Sequence, residues 1–264
     1  NQYQGQQTIQ YTNNSPDALD KVFYHLYFNA FQPGSMMDVR SLTIKDPDRR
    51  VGDRISKLAP EEVGYQLVKT LTQDGKPVKY ETVGTILEVE LDHAIEPGAT
   101  TELKMTWEAQ VPLQIRRSGR DNKEGIRLSM AQWYPKMSEY DYQGWHANPY
   151  IAREFHGVWG DFDVKINIAD NYSIASTGVL QNPADKGYGY SVIKERQQKR
   201  RKGKKKLEWH FVGKNIHDFV WAADPEYKQI VSERSDGLAV RYFYQPGEKT
   251  SENWEKLPEI MNDA

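Results

Sequence analysis

Residues 101–111 alternate between mainly apolar and polar side chains, and this pattern constrains the fold more than any other feature of the chain. Leu103, Met105 and Trp107 occupy one set of positions, and polar residues such as Glu102 stand between them. Because successive side chains of a β-strand point to opposite faces, a period of two places all the apolar residues on one face. An antiparallel sheet with one buried and one solvated face requires this arrangement. We therefore expect a half-buried antiparallel strand here.

The same alternation recurs along the chain at residues 85–91, 162–168 and 238–244. Residues 19–28 are instead rich in aromatic and aliphatic side chains, which predicts a strand buried on both faces. Short turns rich in Gly, Pro, Asp and Asn separate these runs, and helical spacing is almost absent before residue 250. The sequence therefore predicts an all-β fold, an antiparallel β-sandwich.

The pattern changes after Tyr244. Residues 245–247 read Gln-Pro-Gly, a break, and four apolar residues then follow at helical spacing. These four are Trp254, Leu257, Ile260 and Met261. Pro258 suits the first turn of a helix that begins there. We expect residues 1–245 to form one β domain, and residues 246–264 to be a linker and the beginning of a second, helical domain.

Composition excludes several classes of protein. The 264 residues include 7 Trp, 16 Tyr and 8 Phe, enough for a substantial core. Cysteine is absent, so the chain has no disulfide, no thiolate metal site and no cysteine nucleophile. No run approaches the roughly 20 apolar residues that span a bilayer. Residues 1–7 lack the basic start and apolar stretch of a signal peptide, which we expect of an exported chain whose signal has been removed.

A basic run at residues 196–206 holds eight of the 35 basic residues of the chain. Such a tract is found in proteins that bind nucleic acid or heparin-like polymers. It is also found at solvated hairpin tips, here between strands at residues 188–193 and 207–211. Stacking aromatic residues, which a nucleic-acid surface uses, are missing from the run. We therefore favour the hairpin and expect no nucleic-acid partner.

The histidines argue against a zinc site in this chain. Of the six, no two are four residues apart, so the His-Glu-x-x-His motif is absent. His25 alternates within an aromatic strand and is expected to be a core residue. His146 and His156 are ten residues apart in a Gly-rich aromatic loop, where a metal site is an alternative that we do not favour. No nucleophile elbow, phosphate loop or dinucleotide fingerprint is present either, so we expect no catalytic residue and no metal.

Residues 132–150 contain an unusual density of Trp and Tyr together with Gly and Pro. Amphipathic rings give a large contact area at low entropic cost, which favours a binding or docking surface. An ordered loop that packs its own rings over a sheet would have the same composition. The residue pattern leaves these two interpretations equal.

Several stretches of the chain, in order, resemble the N-terminal domain of the M1 zinc aminopeptidases of the Bacteroidetes kind. They run from residue 8 to residue 244 and include the opening strands, the aromatic loop and a closing strand. The matching stretches are residues 9–17, 25–27, 29–31, 34–35, 132–135, 140–141, 144–146, 162–166, 175–178 and 215–225.

This resemblance implies a saddle-like β-sandwich that packs against a thermolysin-like catalytic domain of the same polypeptide. That next domain supplies the zinc, so the resemblance implies no cofactor in this chain and zinc in the parent protein. In the family, a Gln or Glu of the N-terminal domain binds the free amino group of the peptide substrate, and Gln132 is the nearest candidate. Trp133 and Tyr134 would help to wall the first side-chain pocket. The resemblance also implies an exported protein, periplasmic or at the cell surface.

Two other functions stay open from the sequence. The chain is compatible with a stand-alone β-sandwich module that binds carbohydrate or protein through the aromatic loop. It is also compatible with a non-catalytic M1-like scaffold whose downstream domain has lost its zinc ligands.

Overall fold

In a computed structural model of the chain, the structure describes residues 1–44, 49–151, 156–183, 203–234, 236–247 and 250–262. The chain forms two compact units. Unit 1 comprises Asn1–Arg120 and Met130–Trp159, and unit 2 comprises Asp121–Ser129 and Gly160–Ala264. The expected β domain of residues 1–245 thus contributes to both units, and its boundary at residue 245 stays a prediction.

Unit 1 is built on two four-stranded antiparallel sheets. The first sheet has the order β1-β7-β3-β4, and the second has the order β10-β2-β6-β5. The strands of this unit are β1 (Gln2–Thr12), β2 (Leu19–His25), β3 (Tyr65–Gln73), β4 (Lys76–Pro77), β5 (Lys79–Val83), β6 (Ile86–Ile95), β7 (Thr100–Gln110), β8 (Gly119–Arg120), β10 (Lys136–Met137), β11 (Tyr140–Asp141) and β12 (Gly144–Trp145).

Each sheet of unit 1 buries one face. On β7, Leu103, Met105 and Trp107 are at most 3% exposed and alternate with exposed or half-buried residues, as the sequence predicts. On the second sheet, Val22 and Val89 are completely buried. Two antiparallel sheets that each bury one face confirm the predicted all-β sandwich.

Strand β2 is shorter than the sequence predicts. The expected strand over residues 19–28 ends at His25, and a 3-10 helix, Tyr27–Ala30, follows it. The expected burial on both faces is also wrong, because Asp20 is exposed. The side chain of Asn29 stabilises the change of direction, since its amide bonds the backbone of both Gly84 and Gln66. Aromatic composition alone does not distinguish a buried strand from a buried turn.

A short helix, α1 (Met36–Thr43), was not predicted by the sequence. Its N-terminal cap is Ser35, whose hydroxyl accepts a hydrogen bond from the backbone N–H of Asp38. Met36 and Val39 are at least half exposed, whereas Met37 is buried. Because the apolar residues of α1 do not all face the core, they do not give the usual amphipathic signal. The Ser-x-x-Asp capping pattern was the available signal. A second 3-10 helix, Ile55–Lys57, completes the helical segments of this unit in the described part of the chain.

The hydroxyl of Tyr24 gives a testable prediction for unit 1. It is fully buried on β2 and has no hydrogen-bond partner among the described residues. Leaving such a group unpaired costs about 1–3 kcal/mol, so we expect Tyr24→Phe to stabilise the protein by about 1 kcal/mol at pH 7. Burial also raises the pKa of Tyr24 above its ordinary value of 10.0. Above pH 10 the unfolded chain releases this proton and the folded chain does not, so the wild type loses stability and the advantage of Tyr24→Phe grows.

Urea unfolding at pH 7 and at about pH 10.5 measures both effects. Tyr142, which is 93% exposed, provides the control variant Tyr142→Phe, for which we expect no change at either pH. A Tyr24→Phe protein less stable than the wild type at pH 7 would contradict the prediction.

Unit 2 contains strands of three further sheets, in which the pairs β13–β16, β15–β16, β14–β17 and β18–β19 are antiparallel. Their orders are β13-β16-β15, β14-β17-β9 and β18-β19. The strands are β9 (Leu128–Met130), β13 (Gly160–Ala169), β14 (Ser173–Ser176), β15 (Val179–Leu180), β16 (Lys206–Ile216), β17 (Trp221–Asp224), β18 (Lys228–Glu233) and β19 (Ala239–Tyr244). The strands predicted at residues 162–168 and 238–244 are confirmed as β13 and β19.

The core of unit 2 centres on aromatic side chains of β16. Trp209 and Phe211 are at most 1% exposed, and their rings stack at a centroid distance of 6.3 Å. Phe219 is also fully buried and meets Phe211 edge-on at 6.4 Å. The predicted strand at residues 207–211 is confirmed within β16. Its predicted hairpin partner at residues 188–193, and most of the basic run, lie outside the described residues.

The second helix, α2 (Ser251–Asn262), confirms the predicted helical segment but corrects the position of its start. The helix begins at Ser251, so Pro258 lies inside it and not in its first turn. The ring of Trp254 stacks on Tyr244 at a centroid distance of 5.4 Å. This aromatic contact fixes the helix in place, and Ile260, which is 62% exposed, takes no part in it. Among the described residues, no helix is long and apolar enough to cross a membrane.

Candidate functional site

The aromatic loop of residues 132–150 is anchored to the second sheet of unit 1. Strand β10 pairs with β2, where Lys136 lies opposite His25. Strands β11 and β12 form a small hairpin in which Tyr140 lies opposite Trp145. The loop is therefore held at both its beginning and its middle by backbone hydrogen bonds.

Gln132, the predicted amino-group ligand, lies at the head of this loop in an unusual conformation. Its backbone has a φ of 55°, which side-chain-bearing residues adopt uncommonly. The side chain is only 5% exposed, and its Oε1 accepts a hydrogen bond of 3.3 Å from the hydroxyl of Ser118. Its role in binding stays a prediction.

Trp133 and Tyr134, the predicted pocket walls, contact each other and the first sheet. Their rings meet edge-on at 5.4 Å, and the ring of Trp133 lies 6.3 Å from that of Tyr3 on β1. The hydroxyl of Tyr3 also donates a hydrogen bond to the backbone carbonyl of Trp133. Tyr134 is 9% exposed and Trp133 is half-buried. The structure thus brings all three predicted residues together in one short segment, with Trp133 the most accessible.

The other aromatic residues of the loop divide between the core and the surface. Tyr150 is buried and meets Tyr27 edge-on at 5.3 Å. Trp145 is half-buried between Phe23 at 5.7 Å and Tyr140 at 5.1 Å. Packing over the sheet therefore accounts for much of the aromatic composition of this loop.

His25 lies beneath the loop and is a core histidine, as the sequence predicts. It is 5% exposed and stacks on Tyr27 at 5.1 Å. Burial lowers the pKa of His25 to about 4, and the nearby Lys136 cation lowers it as well. A hydrogen bond with the backbone of His146 acts in the opposite direction. His25 is therefore neutral at pH 7 and ties the sheet to the loop.

Three side chains of the loop and the segment after it converge at one point. The Oδ2 atom of Asp141 lies 2.8 Å from Nε2 of His146 and 3.9 Å from Nε2 of His156. The two imidazole rings have a centroid distance of 4.4 Å. Sequence analysis left His146 and His156 as an alternative site and missed Asp141, which lies five residues before His146. The available sequence signal was an aspartate next to a glycine-containing turn, after which the chain reaches His146.

The carboxylate of Asp141 is held in place by its own hairpin. Its Oδ1 accepts a hydrogen bond of 2.8 Å from the backbone N–H of Gln143. This bond, together with the neighbouring His146 and His156, keeps the pKa of Asp141 below its usual value. Asp141 is therefore a carboxylate at neutral pH.

Among the residues that the structure describes, the remaining histidines form no comparable group. His93 lies within 3.4 Å of Asp74 and Asp92, and His210 lies 2.9 Å from Asp163. Each of these is one imidazole beside carboxylates. None of the six histidines lies on a helix in the described residues, so none occupies the setting of a His-Glu-x-x-His zinc motif.

Comparison with known proteins shows which solved structures have a similar fold. No family model matches the sequence, and no curated protein matches it. A solved structure of a mutant M1 zinc metallopeptidase from Deinococcus radiodurans matches with 13% sequence identity and a TM-score of 0.52, covering 99% of this chain and 48% of that one. A structure of the same mutant bound to a Tyr-Ser-Ala substrate matches with 13% identity and a TM-score of 0.48, covering 97% and 48%. The chain is therefore similar in fold to M1 zinc metallopeptidase structures, and it spans about half the length of the structures that it matches.

Proposed function

We propose that this chain is the N-terminal β domain of an M1-type zinc aminopeptidase. In this role it is not catalytic, packs on the catalytic domain of the same polypeptide and helps to bind the free amino terminus of peptide substrates. The observation that carries the proposal is the fold similarity that extends over 99% of this chain but only 48% of the matched metallopeptidase.

The sequence resemblance supports the proposal independently, because its stretches coincide with structural elements. Residues 215–225 include the buried strand β17, and residues 175–178 lie where β14 ends. Residues 140–146 span the β11–β12 hairpin. A resemblance confined to loop composition would not follow the strands in this way.

The catalytic zinc of such an enzyme is held by a His-Glu-x-x-His helix, and this chain has no such motif. The chain contains no two histidines four residues apart, and its histidines lie on strands and loops in the described residues. We therefore assign the zinc and the bond cleavage to the rest of the polypeptide. The contribution of this chain is to position the substrate and to exclude internal peptide segments.

The test is aminopeptidase activity of the longer polypeptide that contains this chain, with and without a zinc chelator. We expect chelator-sensitive release of N-terminal residues from the longer protein and none from the 264-residue chain. A folded longer protein that binds no zinc and releases no residues would contradict the proposal and favour the scaffold or the binding module.

Gln132 gives a specific prediction for substrate binding. A side-chain oxygen that faces an ammonium group favours a free amino terminus. Its hydrogen bond to Ser118 is long, at 3.3 Å, so the amide has a weak competing partner. We expect Gln132→Ala to raise the KM of the longer protein for short peptides roughly 10-fold, about 1.4 kcal/mol, with a smaller effect on kcat.

Ser118→Ala is the matched control for Gln132→Ala. It removes the hydroxyl that contacts Gln132 and leaves the amide in place, so we expect little change in KM. If Gln132→Ala lowers only the stability and leaves KM unchanged, Gln132 is a structural residue of the loop.

Export to the periplasm or the cell surface is part of the same proposal. Fractionation of cells that express the protein from its natural gene would test it, and recovery of the protein with the cytosol would contradict it.

A further inference from the structure

We propose that Asp141, His146 and His156 form a binding site for a divalent transition metal ion, with zinc as the ion that the ligands suit best. The proposal goes beyond the proposed function and does not depend on it, because all three ligands belong to unit 1 of this chain.

The donor set supports the proposal chemically. Two imidazole nitrogens and one carboxylate oxygen are the protein ligands of many zinc sites that keep a fourth position open. The three ligand atoms lie within 4.8 Å of one another. Tetrahedral zinc with bonds of about 2.0–2.1 Å holds its ligand atoms roughly 3.4 Å apart. The observed separations of 2.8 Å and 3.9 Å from the Asp141 oxygen fall on either side of this value.

The surroundings of the ligands hold two of them in position before an ion arrives. Asp141 is fixed by the backbone N–H of Gln143, which leaves Oδ2 as the atom that faces the histidines. The backbone N–H of His146 donates to the carbonyl of Glu139, and the backbone of His146 also bonds the His25 ring. The bond to Asp141 orients a ligating carboxylate directly, as supporting bonds at metal sites do. The bonds of His146 fix the backbone from which its ring projects.

Accessibility gives an ion a route to this position. The side chain of His146 is 21% exposed and that of Asp141 is 29% exposed. The side chain of His156 is 59% exposed, so it is the ligand through which solvent reaches the group. A bound ion would tie His156 to the β11–β12 hairpin. Without a metal ion, the same geometry would be an ion pair between Asp141 and His146 with the His156 ring beside it. Titration with metal ions distinguishes the two cases.

The test is calorimetric titration of the 264-residue chain with Zn²⁺ at pH 7.5, with Co²⁺ as a second probe. We expect one zinc per chain with a Kd of about 1 μM or below. We also expect the visible absorption of tetrahedrally coordinated Co²⁺, which the hydrated ion lacks. Because protons compete with a metal ion for the imidazole nitrogens, the affinity for zinc should fall as the pH is lowered.

Three variants identify the ligands. We expect His146→Ala, His156→Ala and Asp141→Asn each to weaken zinc binding at least 10-fold. His210→Ala is the matched control, because His210 also lies 2.9 Å from an aspartate but has no second histidine. It should leave the affinity unchanged. Circular dichroism of each variant confirms that the chain is folded.

The proposal is wrong if the folded wild-type chain does not bind zinc, or binds it with a Kd above about 10 μM, tenfold weaker than expected. It is equally wrong if His146→Ala and His156→Ala bind zinc as the wild type does. Activity of the longer protein plays no part in these measurements, so their failure would leave the proposed peptidase role untouched.

Discussion

Trp209→Ala is expected to destabilise the protein by about 3–5 kcal/mol, the usual cost of removing a large buried aromatic side chain. Trp209 is completely buried on β16 and stacks on Phe211 with an interplanar angle of 3°. Its strand lies between β13 and β15, so its backbone cannot shift to fill the cavity without disturbing two neighbouring strands. Since domains are stable by only about 5–15 kcal/mol, this is a large fraction of the total.

Urea unfolding followed by circular dichroism measures the loss. Trp159, which is 62% exposed, provides the same substitution at an accessible position, and Trp159→Ala should cost less than about 1 kcal/mol. Equal effects of the two substitutions would show that Trp209 is not the centre of the core of unit 2.

Gly178→Ala is expected to destabilise the protein by about 1–3 kcal/mol more than Gly75→Ala. Both glycines have left-handed backbones, with φ of 82° and 83°, so both substitutions cost about 1–2 kcal/mol of backbone strain. The two positions differ in the space available for an added Cβ atom. An added Cβ at Gly178 would lie 2.7 Å from the backbone oxygen of Val212, whereas one at Gly75 would meet nothing within 4 Å. Overpacking against backbone that cannot move costs about 1–3 kcal/mol.

Position 178 carries this constraint because of the sheet topology. Strand β14 pairs with β17, and β15, two residues later, pairs with β16. The chain therefore changes sheets over Thr177 and Gly178, which brings its backbone close to β16. Comparison of the two variants by urea unfolding checks the prediction. A Gly178→Ala protein as stable as the Gly75→Ala protein would mean that β16 gives way easily at Val212.

Local patterns in the sequence determined much of the secondary structure. Strands β7, β13 and β19 lie where a period of two predicts them, because the pleat of a strand forces alternate side chains to opposite faces. The helical segment near the end of the chain follows from its 3.6-residue spacing in the same way. Each of these predictions depends only on neighbouring residues.

Where an element ends depended on contacts from distant residues. The sequence of β2 continues as aromatic and apolar beyond His25, yet the strand stops there. Asn29 then bonds Gly84 and Gln66, which are far away in the chain. Helix α1 was not predicted because only some of its apolar residues are buried. Their spacing in the sequence therefore does not show the pattern of a helix that packs one apolar face on the core.

The candidate sites also depend partly on local sequence and partly on tertiary contacts. The sequence by itself indicated His146 and His156 as candidates through their residue type, and Gln132 through the resemblance to a known family. Only the tertiary structure decided that Gln132 is buried against Ser118, and that the Asp141 carboxylate lies 2.8 Å and 3.9 Å from the two histidines. The physical reason is that side-chain chemistry and pleat or helix periodicity are local properties. Convergence of side chains from separate turns is fixed by the packing of the whole unit, which no short stretch of sequence encodes.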